Sequence, residues 1–256
     1  MVKKAERRRP PARPGDGGRS RRRDLLWGAR ERPARGPKPG LSVDAVVRAA
    51  LEVVDAEGLS ALTMARVAAQ LDVTTMALYR YVPGKEELVD LIVDGALGSP
   101  PAPGRRDWRS EVVRWARASR KLLQARPWLL EAVVLRAPVG PNWLAWLNAA
   151  LEALSGSGMT DAELIHAALL LDGHVRSTAQ LSAGAPGTAR WAQDFGRALR
   201  TTSADPRYAT LAQVAARGAF EKTASAPDAP FEFGLHRLLD GIETFVRARR
   251  RRTTPA

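Results

Sequence analysis

The chain has 256 residues, of which 45% are hydrophobic, so it is long enough to bury a core in one or two domains. It contains no cysteine, which excludes disulfides and thiolate chemistry and fits a reducing compartment. The net charge is +13, and no apolar run approaches the roughly 18 residues that a membrane-spanning helix needs. No signal peptide is recognisable, so we expect a cytoplasmic protein whose charge favours a polyanionic partner.

The positive charge lies at the two ends of the chain. Residues 1–40 carry 14 Lys or Arg and 4 Asp or Glu, a balance of +10, and five Arg between 247 and 252 add +5, which leaves −2 for residues 41–246. Residues 1–40 are rich in Arg, Pro and Gly, so we expect a disordered basic arm. Arg30, Arg32, Arg35 and Lys38 could lie along a DNA minor groove, or the arm could simply stay solvated.

The first predicted helix spans residues 43–56, with Ser42 as its N-cap and Gly58 as its end. Residues 63–85 then indicate a short helix, a tight turn, a second short helix and a Pro-Gly break. Thr63 and Thr74 are the expected N-caps of the two short helices. This layout is typical of a helix-turn-helix, whose second helix enters the major groove of DNA. The apolar wedge between the two short helices is predicted to comprise Val67, Leu71, Val73 and Leu78.

The same stretch carries a resemblance. The string Ala-Leu-Tyr-Arg-Tyr-Val-Pro-Gly-Lys-Glu-Glu-Leu (77–88), preceded by Leu-Thr-Met-Ala-Arg-Val-Ala (62–68), resembles the DNA-binding domain of TetR-type transcriptional repressors. Residues 231–243 are similar to the last helix of a tetracycline-repressor-like C-terminal domain, so the resemblance spans about residues 41–247. One departure is Asp72, where many relatives have Gly; Asp tolerates the left-handed conformation better than most residues, so the turn should survive.

The resemblance implies a homodimer that binds a palindromic operator in double-stranded DNA. By position in the resembled motif, the DNA-binding candidates are Thr63, Arg66, Thr74, Thr75, Met76, Tyr79, Arg80, Tyr81 and Lys85. Thr75 and Met76 would meet base edges, Arg80 a guanine or a phosphate, and Lys85 a phosphate at the start of the next helix. For Tyr79, packing between helices is the alternative.

Beyond the next helix, which starts near Lys85, Gly98–Gly104 breaks the chain and marks a domain boundary. Helices are predicted over 108–125, 127–135, 138–154, 160–181, 189–200, 207–219 and 231–248, with Thr160 and Glu163 forming a capping box and residues 222–230 flexible. Strand patterns are absent, so the fold class is all-α. The predicted domains are the arm (1–40), a helix-turn-helix domain (41–98), a helical effector and dimerisation domain (105–248) and a basic tail (249–256).

Two predicted helices share an apolar seam with spacings of four, three, four and three residues. One seam comprises Leu164, Ala168, Leu171, Val175 and Thr178, and the other comprises Phe231, Leu235, Leu238, Ile242 and Phe245. This spacing suits nearly parallel helix packing. The resemblance implies that two such helices from each subunit form the dimer interface. The alternative is that both seams are buried within one monomer.

The large second domain implies, by the resemblance, a pocket for a small-molecule effector. Its expected walls contain aromatic side chains from the group Trp108, Trp115, Trp128, Trp143, Trp146 and Trp191, although each could be an ordinary core residue. The candidate ligand-binding residues are Trp115, Trp143, Trp146, His166, Leu170 and His174. His166 and His174 without clustered carboxylates make a poor metal site, so we expect neither metal nor cofactor.

An enzyme is not expected, because the chain has no nucleophile elbow and no phosphate-binding Gly-rich loop. We therefore expect a sequence-specific transcriptional regulator, a repressor that a ligand releases from its operator. The alternative is a basic architectural protein that binds DNA without sequence preference and has no effector.

Overall fold

The structure, a computed structural model, describes residues 24–28, 41–104, 107–135, 139–182, 198–199, 205–219, 226 and 228–253. These residues are helical or irregular, and no strand occurs among them, in agreement with the all-α prediction. The chain divides into two compact units. The first contains the chain up to Ala96 and a short stretch that ends at Pro141, and the second contains most of the remainder.

Between residues 41 and 97, the first unit contains the helices α1 (Val43–Glu57), α2 (Met64–Gln70), α3 (Thr75–Tyr79) and α4 (Lys85–Leu97). A 3₁₀ turn, Leu59–Ala61, joins α1 to α2. The helix α1 packs on α2, and α2 packs on α3. The core between them is fully buried and includes Val46, Val53, Leu62, Val67, Leu78, Val82, Leu88 and Ile92. The short α3 owes its position to this core rather than to its own length, since isolated helices of this size are unstable in water.

Side-chain caps fix where the first three helices begin. The hydroxyl of Ser42 accepts from Ala45 N at 3.1 Å, that of Thr63 from Arg66 N at 3.0 Å, and that of Thr74 from Ala77 N at 3.3 Å. All three caps confirm the sequence prediction. Between α2 and α3, Asp72 has a φ of 54°, the left-handed conformation expected for this turn residue.

The second unit contains α5 (Trp108–Ala125), α6 (Trp128–Leu135), α7 (Pro141–Ser155), α8 (Asp161–Ser182), α9 (Ala209–Ala216) and α10 (Ala229–Thr253). Pro141 groups with the first unit although it begins α7. A 3₁₀ turn, Pro206–Tyr208, precedes α9. The long helix α8 packs against both α5 and α10. In the predicted capping box, Thr160 N donates to the Glu163 carboxylate at 2.7 Å.

The start of α10 is held by aromatic and charged contacts. The Arg120 guanidinium lies over the Phe231 ring at 4.7 Å and forms an ion pair with Asp228 at 2.7 Å. On another side, the His174 ring stacks on Phe231 with a centroid distance of 5.7 Å, and its Nε2 donates to Phe231 O at 2.9 Å. Phe231 is thereby buried within the subunit.

The dimer seams predicted from the sequence are used inside the subunit. Ala168, Leu171, Val175, Phe231 and Leu235 are all buried within one chain, in which α8 packs against both α5 and α10. The seam members that are only half-buried are Leu164, Leu238 and Ile242, and Phe245 is exposed. Burial of these residues within one subunit supports the alternative that the seams pack inside a monomer, and their part in an intersubunit interface stays a prediction.

Several segments differ from the predicted boundaries. The final helix runs from Ala229 to Thr253 rather than from 231 to 248, so it includes part of the predicted basic tail. Arg249 forms an ion pair with Glu163 and donates to Gly158 O, which ties this end of the helix to the start of α8. Within the predicted arm, residues 24–28 form a helical turn in which Leu26 is buried.

Some predictions concern positions outside the described residues. These are the remainder of the arm with Arg30, Arg32, Arg35 and Lys38, nearly all of the predicted helix over 189–200 with Trp191, and most of the predicted flexible segment over 222–230. Within the described part of the chain, no helix combines the length and the apolar character needed to cross a bilayer.

Candidate functional site

The helix α3 presents a small exposed surface above a buried base. Leu78 is completely buried, whereas Met76 is 75% exposed and Tyr79 is 44% exposed. Thr74 and Arg80, at the two ends of α3, are also exposed, and Thr75 is half-buried. Among the described residues, no hydrogen bond or ion pair engages the side chains of Met76, Tyr79 or Arg80. These side chains are therefore available to an external partner.

Tyr81 and Lys85 lie just beyond α3 and differ in exposure. Tyr81 is half-buried, and Lys85 is the exposed first residue of α4. The positive end of the helix dipole and the ammonium group coincide at Lys85, which favours a phosphate there. Tyr79 is exposed enough to contact DNA. Packing between helices, the alternative role considered for it, buries only part of its side chain.

Arg66 on α2 is held by neighbouring side chains. Its guanidinium donates to Glu57 at 2.7 and 3.0 Å and to Gln70 at 3.0 Å, and Gln70 in turn donates to Glu52 at 3.2 Å. These hydrogen bonds to Glu57 raise the pKa of Arg66. The network links α2 to α1, so the guanidinium has a structural role besides the phosphate contact predicted from the sequence. Thr63 is likewise exposed, and its hydroxyl caps α2.

A partly open cavity of about 200 Å³ lies within the second unit, between the start of α5 and the end of α7. Its lining includes Pro101, Trp108, Glu111, Arg114, Trp115 and Glu152. Glu111 is only 7% exposed; it forms an ion pair with Arg114 and accepts a hydrogen bond from Gly104 N at 3.0 Å. The cavity thus combines indole walls with charged groups.

Only one of the six candidate ligand-binding residues lines this cavity. Trp115 does so, with its indole N–H donating to Trp146 O at 3.1 Å. The indole N–H of Trp146 donates to Leu97 O and Gly98 O at 3.0 and 3.2 Å. Trp143 is half-buried, while His166 and Leu170 are exposed.

The sixth, His174, packs on Phe231. The structure therefore does not bring these six residues together. The sequence could not show this, because helical periodicity predicts the face on which a side chain lies but not the neighbour that it meets.

The charged residues of the cavity, Glu111, Arg114 and Glu152, are not among the ligand-binding residues predicted from the sequence. A signal was present, because Trp108, Glu111 and Trp115 follow a three-four spacing that puts a carboxylate on an otherwise apolar stripe. A carboxylate at such a position needs charged or hydrogen-bonding partners when it is buried. Across the described residues, the cavity included, no group of three or more His, Asp or Glu side chains comes together in a way that would hold a metal ion.

Several large apolar side chains on α8 and α10 are exposed. Ile165 and Leu169 lie four residues apart on α8, and Phe233 and Phe245 lie on α10, with Phe233 71% exposed. The Arg237 guanidinium lies 5.8 Å from the centre of the Phe233 ring. We call these four apolar residues the α8/α10 face.

Comparison with known proteins gives matches over both units. Residues 46–92 match the model of bacterial regulatory proteins of the tetR family, and residues 100–246 match the tetracyclin repressor-like C-terminal domain. The HTH-type transcriptional repressor DrrR1 of Streptomyces coeruleorubidus is 38% identical over 254 residues, which cover 94% of this chain and 92% of that protein. The class C tetracycline repressor protein of Escherichia coli is 29% identical over 208 residues, covering 79% and 91% of the two chains.

Solved structures give the same result. The TetR family protein ActR of Streptomyces coelicolor, in complex with actinorhodin, superposes with a TM-score of 0.68 at 28% identity, covering 80% of this chain and 96% of that chain.

Proposed function

The chain belongs to the tetR family of bacterial regulatory proteins, and we propose that it is a homodimeric repressor that a small-molecule effector releases from a palindromic operator. The naming of DrrR1 as a transcriptional repressor supports repression over activation. The complex of ActR with actinorhodin supports control by a small molecule. A regulator of this kind works in the cytoplasm and catalyses no reaction.

The exposed surface of α3 is the observation that carries the proposal. Met76, Tyr79 and Arg80 project from a helix whose Leu78 is locked into the core. Such an arrangement presents a few side chains rigidly to base edges, with Met suited to a thymine methyl and Arg to guanine or phosphate. Thr74, Thr75 and Tyr81 border the same surface, and Lys85 supplies a phosphate contact.

A helix as short as α3 reads only a few base pairs, so sequence specificity requires two copies at a fixed spacing. We propose that the α8/α10 face joins the two subunits, in place of the buried seam residues. Its four apolar side chains are exposed in one subunit, and a second copy would remove them from water. Phe245 is the one exposed member of the sequence-predicted interface that this proposal retains.

The effector acts, in this proposal, by favouring one separation of the two α3 helices. A ligand shifts such an equilibrium only if it binds one arrangement more tightly than the other. The ligand site belongs to the second unit, and the operator site to the first.

The proposal is tested by light scattering, by selection of DNA from random fragments and by competition with scrambled duplex. Light scattering should give a dimer for the purified protein and a monomer, or a much weaker dimer, for Phe233→Ser. Val139→Ser is the matched control, since Val139 is a 59% exposed apolar residue outside α8 and α10. DNA selected from random fragments should contain an inverted repeat with half-site centres about 34–36 Å apart or a multiple of that distance.

Competition by scrambled duplex separates this function from that of an architectural protein. A specific repressor should prefer its selected site by at least about 10³-fold over scrambled DNA at physiological salt. Equal affinity for both duplexes, or a protein that remains monomeric at micromolar concentration, would contradict the proposal.

A further inference from the structure

The charges around the 200 Å³ cavity of the second unit are unequal. Among the described residues that line it are two carboxylates, Glu111 and Glu152, and one guanidinium, Arg114, which forms an ion pair with Glu111. The formal charges of these three described residues sum to −1. A cation entering the cavity would be attracted by this balance, and an anion would be repelled.

The Glu111 carboxylate is held in a defined position. It is 7% exposed and is bonded to Gly104 N as well as to Arg114. A Cβ at Gly104 would lie 2.2 Å from Glu111 Oε1, so a larger residue at this position would require the Glu111 carboxylate to shift. These contacts hold the carboxylate at the cavity wall, and its charge acts at short range within the cavity.

Two indole rings line the same cavity. Trp108 and Trp115 are seven residues apart on α5 and lie on one side of the helix. The Trp115 N–H is engaged by Trp146 O, which fixes the orientation of the ring. An indole face attracts a cation more strongly than any other aromatic side chain, and the attraction increases when the cation is desolvated.

We propose that this cavity binds a ligand bearing a protonated or quaternary amine next to an apolar or aromatic body. The carboxylates supply the charge, and Trp108, Trp115 and Pro101 supply the apolar contact. The volume is below the roughly 300–1,000 Å³ of pockets that enclose drug-sized ligands, so the cavity receives the amine-bearing end of a larger molecule or a small amine entirely. The inference rests on the proposed ligand-released repression, for which it names the chemical class of the effector.

Three isosteric probes test the charge preference: benzyltrimethylammonium, the neutral neopentylbenzene and the anionic benzylsulfonate. Their binding to the full-length protein is measured by calorimetry or by saturation-transfer NMR. The ammonium probe should bind at least about tenfold more tightly than the neutral probe, and the sulfonate should bind least. Equal affinity for the three probes, or preference for the sulfonate, would overturn the proposal.

Variants assign the preference to the cavity. Glu111→Gln should weaken binding of the ammonium probe about tenfold and leave the affinity for the neutral probe unchanged. Unchanged binding of the neutral probe also shows that the cavity of the variant remains folded. Glu152→Gln, at an exposed site, should weaken binding of the ammonium probe about threefold. Glu131→Gln, an exposed carboxylate on α6 that does not line the cavity, is the matched control and should have no effect. Loss of binding in this control to the same extent would overturn the assignment.

Operator release is measured in parallel by fluorescence anisotropy of labelled DNA. Release at saturating ammonium probe supports both the cavity and the proposed function. Probe binding that depends on Glu111, without release, supports the cavity and counts against repression controlled through it. Release by other compounds, combined with no ammonium binding, overturns the cavity inference and leaves the proposed function standing.

Discussion

Gly234 on α10 lies directly against the ring of His174 on α8. A Cβ at Gly234 would lie 2.2 Å from His174 Cε1 and less than 3 Å from both ring nitrogens, at 2.8 and 2.9 Å. The ring cannot easily retreat, because it stacks on Phe231 and donates to Phe231 O. Gly234→Ala should therefore separate the two helices or displace the ring. Over-packing of this kind costs roughly 1–3 kcal/mol, offset by up to about 1 kcal/mol from the better helix propensity of Ala.

A double-mutant cycle isolates the steric effect. In a His174→Ala background, Gly234→Ala should be neutral or stabilising by up to about 1 kcal/mol, because only the propensity gain remains. The coupling between the two positions should then be about 1–3 kcal/mol. Urea denaturation at one fixed protein concentration measures it, since the stability of a dimer depends on concentration. If Gly234→Ala has the same effect in both backgrounds, the close contact does not determine the packing of α10.

Three further predictions concern DNA binding, pH and the turn. Lys85→Ala should reduce the slope of the logarithm of the DNA-binding constant against the logarithm of the salt concentration by about 0.9 per subunit, or about 1.8 for a dimer, on every DNA sequence. The control variant Lys121→Ala on α5 should leave this slope unchanged. An effect confined to one base position would contradict a phosphate contact. The hydrogen bonds that Arg117 donates lower the pKa of Glu232 from its ordinary 4.5, so Glu232 adds stability above pH 4.5 that is lost as the pH falls through the lowered pKa. Glu232→Gln should thus lower the melting temperature at pH 7 and match the parent near the lowered pKa and below it; a constant difference at all pH values would exclude this cause. Asp72→Gly should change the stability by less than about 1 kcal/mol and tighten operator binding, because glycine adopts the left-handed conformation readily and a negative charge beside α3 is removed; weaker binding would show that Asp72 itself contacts the operator.

Local rules of helix formation were sufficient for much of the first unit. Ser42, Thr63 and Thr74 were predicted as caps because a hydroxyl at these positions satisfies a backbone N–H, and each does so in the structure. The left-handed Asp72 followed from the same kind of reasoning. The helix Trp108–Ala125 has the predicted bounds, since Asp107 caps its start and accepts from Ser110 N at 3.0 Å.

Periodicity could not identify the partner of each face. The seam through Leu171 and Leu235 has the spacing of a helix–helix interface, and nothing in that spacing distinguishes a neighbour in the same subunit from one in a second subunit. The indole groups of Trp115 and Trp146 were expected at a ligand, yet their N–H groups reach backbone carbonyls. Those acceptors belong to chain segments distant in sequence, which no local pattern specifies. The carboxylate of Glu111 was missed for the same reason, because its setting depends on Gly104 and on the end of α7.

The short stretch that ends at Pro141 has a consequence for dissecting this protein. It groups with the first unit although it follows α6 and begins α7, and a Cβ at Gly140 would lie 2.2 Å from Asp94 Oδ1 on α4. The polypeptide therefore crosses between its two units three times. A chimera that joins residues up to Leu97 to the second domain of another regulator would pair α4 with the α6–α7 connection of that other protein. To transfer the DNA-binding unit of this regulator to another protein, the α6–α7 connection must be transferred together with the N-terminal residues up to Leu97.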